Sequence, residues 1–183
     1  MGELEILAAQ LKSGLITLPQ WQAGVRDWIR TEYNEAMILQ CGGREFVTQS
    51  DWGYAGSAIK KQYNYLDGFA ADIQADPDKW LTGNRLDGRL KLYNQSGYSA
   101  LEDFKNRAMR LAGWTEERNK LGVADHCSGE GATPGCIEVT GMGWRRINTL
   151  PKIGERLCRT NCKCSFEYRK PNPDGGWIYE SEA

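Results

Sequence analysis

The sequence predicts a mainly α fold that ends in a small β knob, and three observations predict it. Apolar residues recur every three to four positions through the first two thirds of the chain. Helix start and stop signals bracket those periodic runs. Beyond them the pattern changes to glycine-rich loops, short β-like runs and clustered cysteines. The expected organisation is a helical body over residues 1–118, with about four helices of which one is long, followed by a cysteine-rich module over residues 119–183.

The helices follow in chain order. Leu4, Leu7, Ala8 and Leu11 make a short amphipathic segment closed by Ser13-Gly14. Thr17 with Gln20 three residues on fits a capping box, and Pro19 falls in the first turn, where a missing N–H costs nothing. Trp21, Val25, Trp28, Ile29, Ala36 and Leu39 then form a stripe that Gly42-Gly43 ends. A third helix starts at Thr48 to Asp51, carries Trp52, Ala55, Ile59, Tyr63, Leu66, Ala70 and Ile73 on one face, and stops near Asp76-Pro77. The fourth opens around residues 82–84 and runs through Leu86, Leu90, Tyr93, Gly97, Leu101, Phe104, Ala108 and Leu111, about 40 Å at ~1.5 Å per residue. Gly88 and Gly97 inside it mark places for a kink or a close helix contact. Residues 122–136 read as loop, and GWRRI, CSFEYR and WIYES as strands, the last two joined by a wide hairpin.

Composition narrows the function classes. The 183 residues are enough to bury a core without disulfides. No run approaches the apolar length of a membrane span, and the N-terminus lacks the pattern of a secretion signal, so a soluble protein made in a reducing cytoplasm is expected. Net charge is −1, but residues 141–170 hold eight basic and two acidic residues, a local +6 that suits an anionic neighbour or a solvated basic surface equally. Arg145, Arg146, Trp144 and Lys163 are the candidate partner or nucleic-acid contacts in that segment. Trp21, Trp28 and Trp52 lie on the apolar stripes and read as core, whereas Trp144 and Trp177 pack over the cysteines or meet a partner. Glu116-Glu117 read as solvated surface. No phosphate loop, dinucleotide fingerprint, zinc-protease helix or nucleophile elbow is present.

His126, Cys127, Cys136, Cys158, Cys162 and Cys164 fall in two clusters about twenty residues apart. In a reducing compartment such clusters are more often metal ligands than bridges. A split zinc site also supplies folding free energy to a segment poor in aliphatic residues, and Arg156, Arg159 and Lys163 offset its surplus negative charge. Zinc takes four ligands. Cys127, Cys136 and Cys158 are the first choices, Cys162 and Cys164 compete for the fourth place, and His126 is a further candidate. Neither cluster shows the common C-x-x-C spacing. Disulfides, with Cys41 left over as a buried helical thiol, and a catalytic cysteine are the alternatives.

The series His126-Cys127, Cys136, Gly143-Trp144, Leu150-Pro151, Gly154 and then C-x-x-x-C-x-C before an aromatic-ending strand resembles the C-terminal pattern of tailed-phage minor head proteins, the head-morphogenesis family. LPQWQ, CGG, the T-x-x-D-W-G of residues 48–53, QYNYLDGFA and LKLYNQSGY are similar to stretches of small phage structural proteins. The family's usual C-x-x-C after the histidine is widened here by SGEGATPG. The resemblance implies a non-enzymatic virion component, a minor head or portal/neck-associated protein. It would act with other phage head or portal/neck proteins in several symmetric copies, in the host cytoplasm during assembly and then in the virion. The rival expectation is a nucleic-acid-binding zinc module contacting packaged DNA. A thiol-dependent enzyme is the third.

Overall fold

A computed structural model describes residues 2–122, 127–129, 133–159 and 162–182. Among them the fold is mainly α, with a small antiparallel sheet toward the C-terminus and a cysteine cluster beside it, as expected. The chain divides into two compact units after Gly97.

The first unit is built from α1 (Glu3–Lys12), α2 (Leu18–Gln40), α3 (Gln49–Ala75), α4 (Pro77–Leu81) and the opening half of α5 (Arg85–Leu111). Both expected capping boxes form: Gln20 accepts the Thr17 N–H at 2.8 Å and Asp51 accepts the Thr48 N–H at 3.0 Å. Trp21, Val25 and Ile29 of α2 are buried, with Ala55, Leu66, Phe69 and Ile73 of α3 and Leu86, Leu90 and Tyr93 of α5. Phe69 stands edge-on to both Trp21, at 5.8 Å, and Trp80, at 4.9 Å. α1 approaches α2 so closely that a Cβ at Gly24 would lie 2.8 Å from the Leu7 side chain. The stripe on α2 departs from expectation in its second half. Tyr33 and Met37 are the buried residues, and Leu39 is exposed, because the straight 3.6-residue period carries the core face one position away from a line drawn through Ala36 and Leu39. Trp52 is only half-buried, with Arg44 over its ring.

The second unit contains the rest of α5, a four-stranded sheet and the short helix α6 (Cys136–Gly141). The strands are β1 (Glu116–Lys120), β2 (Arg145–Arg146), β3 (Ser165–Pro171) and β4 (Trp177–Tyr179), in the order β2-β1-β3-β4, with every neighbouring pair antiparallel. The division after Gly97 precedes the one expected near residue 118 because the second half of α5 bonds to this unit's own segments. Tyr98 donates to the Cys164 carbonyl at 3.0 Å, Asn106 donates to Glu117, and Lys105 pairs with Glu180 at 2.7 Å. α5 continues unbroken through Gly88, which has no close neighbour, and Gly97, where a Cβ would meet Glu32 only at an ordinary 3.7 Å.

Three elements of this unit differ from expectation. β1 lies in a stretch read as non-strand, α6 follows on the expected loop of residues 122–136 where no helix was expected, and GWRRI shortens to a two-residue strand. Glu117, read as solvated, is fully buried. Its Oε1 accepts the Thr149 and Leu150 N–H groups, both at 3.0 Å, and its Oε2 accepts from Asn106, so this carboxylate anchors the turn after β2. Glu116, half-buried, pairs with Arg169 at 2.6 Å.

A second buried carboxylate, Glu102 on α5, accepts the Phe166 N–H at 3.2 Å. Burial raises its pKa above 4.5, aided by Glu180 and opposed by the Phe166 N–H, Lys105 and Arg156. A carboxyl group whose pKa rises on folding contributes stability that is complete below its unfolded pKa and is lost as pH rises through the folded one. Glu102→Gln, which keeps an acceptor for Phe166, is therefore expected to be more stable than the parent in urea at pH 7. The difference should vanish near pH 4; an equal difference at both pH values would contradict this.

Candidate metal centre

The described cysteines of the C-terminal segment converge. Cys127 lies outside any regular element, Cys136 opens α6, Cys158 lies in a turn, and Cys162 and Cys164 lie just before β3 rather than within it. Cys127, Cys136 and Cys158 have their sulfur atoms within 4.8 Å of one another, and so do Cys136, Cys162 and Cys164. Cys136 is the member common to both groups. Its sulfur lies 3.7 Å from that of Cys127, 3.2 Å from that of Cys158 and 3.5 Å from that of Cys162. None is in a disulfide. A bonded pair would lie at about 2.05 Å. Four thiolates around one zinc at about 2.3 Å have sulfurs about 3.8 Å apart, close to the separations seen here.

Local structure places these thiols. Glu138 accepts from the Ser128 hydroxyl at 2.6 Å, from the Gly129 N–H at 3.1 Å and from the Gly135 N–H at 2.9 Å, tying the segment after Cys127 to the first turn of α6. The Ile137 N–H donates to the Cys127 carbonyl at 3.3 Å, and the Cys136 N–H to the Cys127 sulfur at 3.3 Å. A side chain at Gly135 would overlap the Cys127 carbonyl, and one at Gly122 the Lys163 carbonyl, so both positions demand glycine for close backbone approach. Glu138 and these two glycines escaped sequence reasoning. The E-x-x spacing behind Gly135 resembles half of a capping box, which was the available signal for Glu138.

Cys136, Cys162 and Cys164 belong to the unit's hydrophobic core, packed with Val139, Ile147, Leu150, Ile153, Phe166 and Tyr168. Burial is the largest influence on all the shifted thiols, and it disfavours the charged form. At Cys158 the pKa is pushed up to about 12, with contacts from Cys127 and Cys162 adding to burial. Cys136 is raised further, by burial and then by Cys158, Cys164 and Cys162. At Cys127 burial is outweighed by the Cys136 N–H and its sulfur neighbours, and at Cys164 by Gly122, Cys136 and Asn119, so these two are lowered. A divalent cation at the centre reverses the penalty on the raised pair, because it favours every thiolate at once.

The basic residues divide. Arg156 is fully buried: its Nε donates to the Pro151 carbonyl at 3.1 Å, its Nη1 to Asn119 at 2.6 Å, and its guanidinium lies 5.2 Å from the Phe166 ring centre. Asn119 in turn donates to the Cys136 carbonyl at 3.5 Å and to Thr140 at 2.7 Å, which links the buried cation to the thiol-bearing helix. Lys163, exposed between Cys162 and Cys164, lies over the Tyr98 ring at 5.5 Å. Trp144 gathers instead with Arg118 and Arg169, while Arg145 and Arg146 are exposed on β2. Cys41 caps α2, half-buried, with its sulfur 3.8 Å from that of Met37. His126 lies outside the described residues.

Comparison with protein-family models, curated proteins and solved structures finds no match to this chain. Among the described residues no helix is long and apolar enough to cross a membrane.

Because Glu138 joins the two segments that carry Cys127 and Cys136, Glu138→Ala is expected to weaken cobalt(II) or zinc binding about 10- to 100-fold, the range for a residue that orients ligands. Competition with a chromophoric chelator measures it, and unchanged affinity would show that the thiols are positioned without Glu138.

Proposed function

We propose that the cysteine cluster holds one structural zinc ion. On this reading the chain serves without catalysis as a structural component of a tailed-phage particle, a minor head or portal/neck-associated protein acting through protein–protein contacts. The observation that supports the metal is the set of unbonded sulfur separations of 3.2–3.7 Å around Cys136. Zinc is favoured over harder cations because thiolates are soft ligands, and it needs no open coordination position in a structural role. Cys127, Cys136 and Cys158 are the ligands the reading starts from, with Cys162 or Cys164 as the fourth. When bound, the ion supplies a cross-link between loops, and the chain's own groups hold its geometry through Glu138, Gly135 and Gly122.

The particle role rests on the sequence resemblance, and the long α2, α3 and α5 suit it as ridged surfaces for packing against neighbours. Elemental analysis of protein purified under reducing conditions should find close to one zinc per chain. Cys136→Ser should lower its affinity more than about 100-fold, beyond the effect of an orienting residue. A metal-free chain with Cys136 bridged to Cys158 by mass spectrometry would overturn the metal reading. Density for the chain in the head or neck of the particle is the expected location, and its absence from both virions and assembling heads would remove the particle role.

A further inference from the structure

We infer that the outer face of the sheet is a binding surface for single-stranded nucleic acid, with Trp177 as the base-stacking residue and Arg146 as a phosphate contact. This goes beyond the structural role and does not rest on the metal. Register defines the face. Arg146 pairs with Glu116, Glu116 with Arg169 and Arg169 with Tyr179, so these four side chains project to one side across all four strands. Arg118 and Lys120 on β1 and Glu167 on β3 share that side by alternation. On this side the Arg169 guanidinium lies 3.8 Å from the Trp177 ring centre and 4.5 Å from that of Trp144, and Arg118 lies 4.6 Å from Trp144. Trp144 also leans on Tyr179, ring centres 5.7 Å apart. The result is an alternation of tryptophan rings and arginine guanidinium groups.

Charge and geometry select the occupant. Arg118 and Lys120 pair with Glu167, and Arg169 pairs with Glu116. Those pairs hold the rings and cations in place but leave the face positive, since two cations share Glu167 and Arg146 on the β2 edge is exposed. Trp177, on the opposite edge, is 39% exposed, and Arg169 packs against its ring. An acidic peptide would have to compete for guanidinium groups already held by Glu116 and Glu167. A duplex offers phosphates but hides its base faces. A single strand offers both, a base to stack against Trp177 and phosphates to meet Arg146 on the far edge, three strand spacings away, about 14 Å.

Fluorescence anisotropy of the full chain with a labelled oligothymidylate of about twelve nucleotides tests this. Binding is expected at about 50 mM salt, falling steeply as salt rises. Arg146→Glu should cost at least about threefold and lower the salt slope by about 0.7. Trp177→Ala should cost at least about fivefold with the slope unchanged. Both variants are compared at equal metal content and equal circular dichroism, which separates loss of the face from loss of the fold. Absence of binding at low salt, full binding by the Arg146→Glu variant, or equal displacement by a duplex or by oligoglutamate would each overturn the inference.

Discussion

Everything in the second unit is arranged around the crowding of thiols at Cys136. Cys136, Cys162 and Cys164 share the core with Val139, Leu150 and Phe166, and burial there disfavours the charged form of Cys136. Such a core is consistent when Cys136 stays protonated or when a cation sits among the thiols. The first choice leaves weakly bonding sulfurs in place of packed aliphatics. The second converts the same atoms into the strongest link in the unit, and the Cys136 N–H donating to the Cys127 sulfur is the kind of contact that a bound thiolate uses.

The sheet separates two ways of handling charge. On its inner side single ionic groups are buried and individually bonded: Glu117 holds the turn at Thr149 and Leu150, and Arg156 is held by Asn119 and Pro151. Removing one partner there would strand a buried charge. On its outer side cations and carboxylates lie beside aromatic rings in partial contact with water, where each pair is worth little alone. Strand alternation makes this division sharp, since Glu116 and Glu117 are neighbours in sequence yet face opposite media.

That alternation also explains what the sequence made legible. The capping boxes at Thr17 and Thr48 were readable because each depends on residues three positions apart and on nothing distant. The thiol cluster was readable in outline, since cysteine is a conspicuous letter and clustered cysteines have few chemical uses. β1 was not, because EERNK offers no apolar alternation: its inward residues are Glu117 and Asn119, whose burial depends on Thr149, Leu150 and Arg156 far along the chain. α6 was hidden because its start is defined by Glu138 bonding to Ser128 and Gly129, contacts that exist only after the loop has folded back. Gly97 drew attention as a kink site, whereas its neighbourhood is where α5 passes from one compact unit to the next.

The chain between α6 and β3 shows why a cross-link at the cysteines accounts for more than their own proximity. Apart from the two residues of β2, the described part of this stretch has no regular strand or helix, and its buried aliphatic residues are Ile147, Leu150 and Ile153. Polar contacts hold it along its length, Thr115 at Ile147, Glu117 at Thr149 and Leu150, Asp103 at Lys152 and Asn119 at Arg156, and one backbone bond, Leu157 N–H to the Pro134 carbonyl at 3.2 Å, joins its ends. Closing it by fluctuation alone carries an entropic cost that grows with the logarithm of its length. A cation joining Cys136 to Cys158 closes that loop once, and joining Cys127 on one side and Cys162 or Cys164 on the other closes its neighbours with the same ion. The polar contacts then have only to choose the path of a loop whose ends are already fixed, a task that a few buried hydrogen bonds can perform.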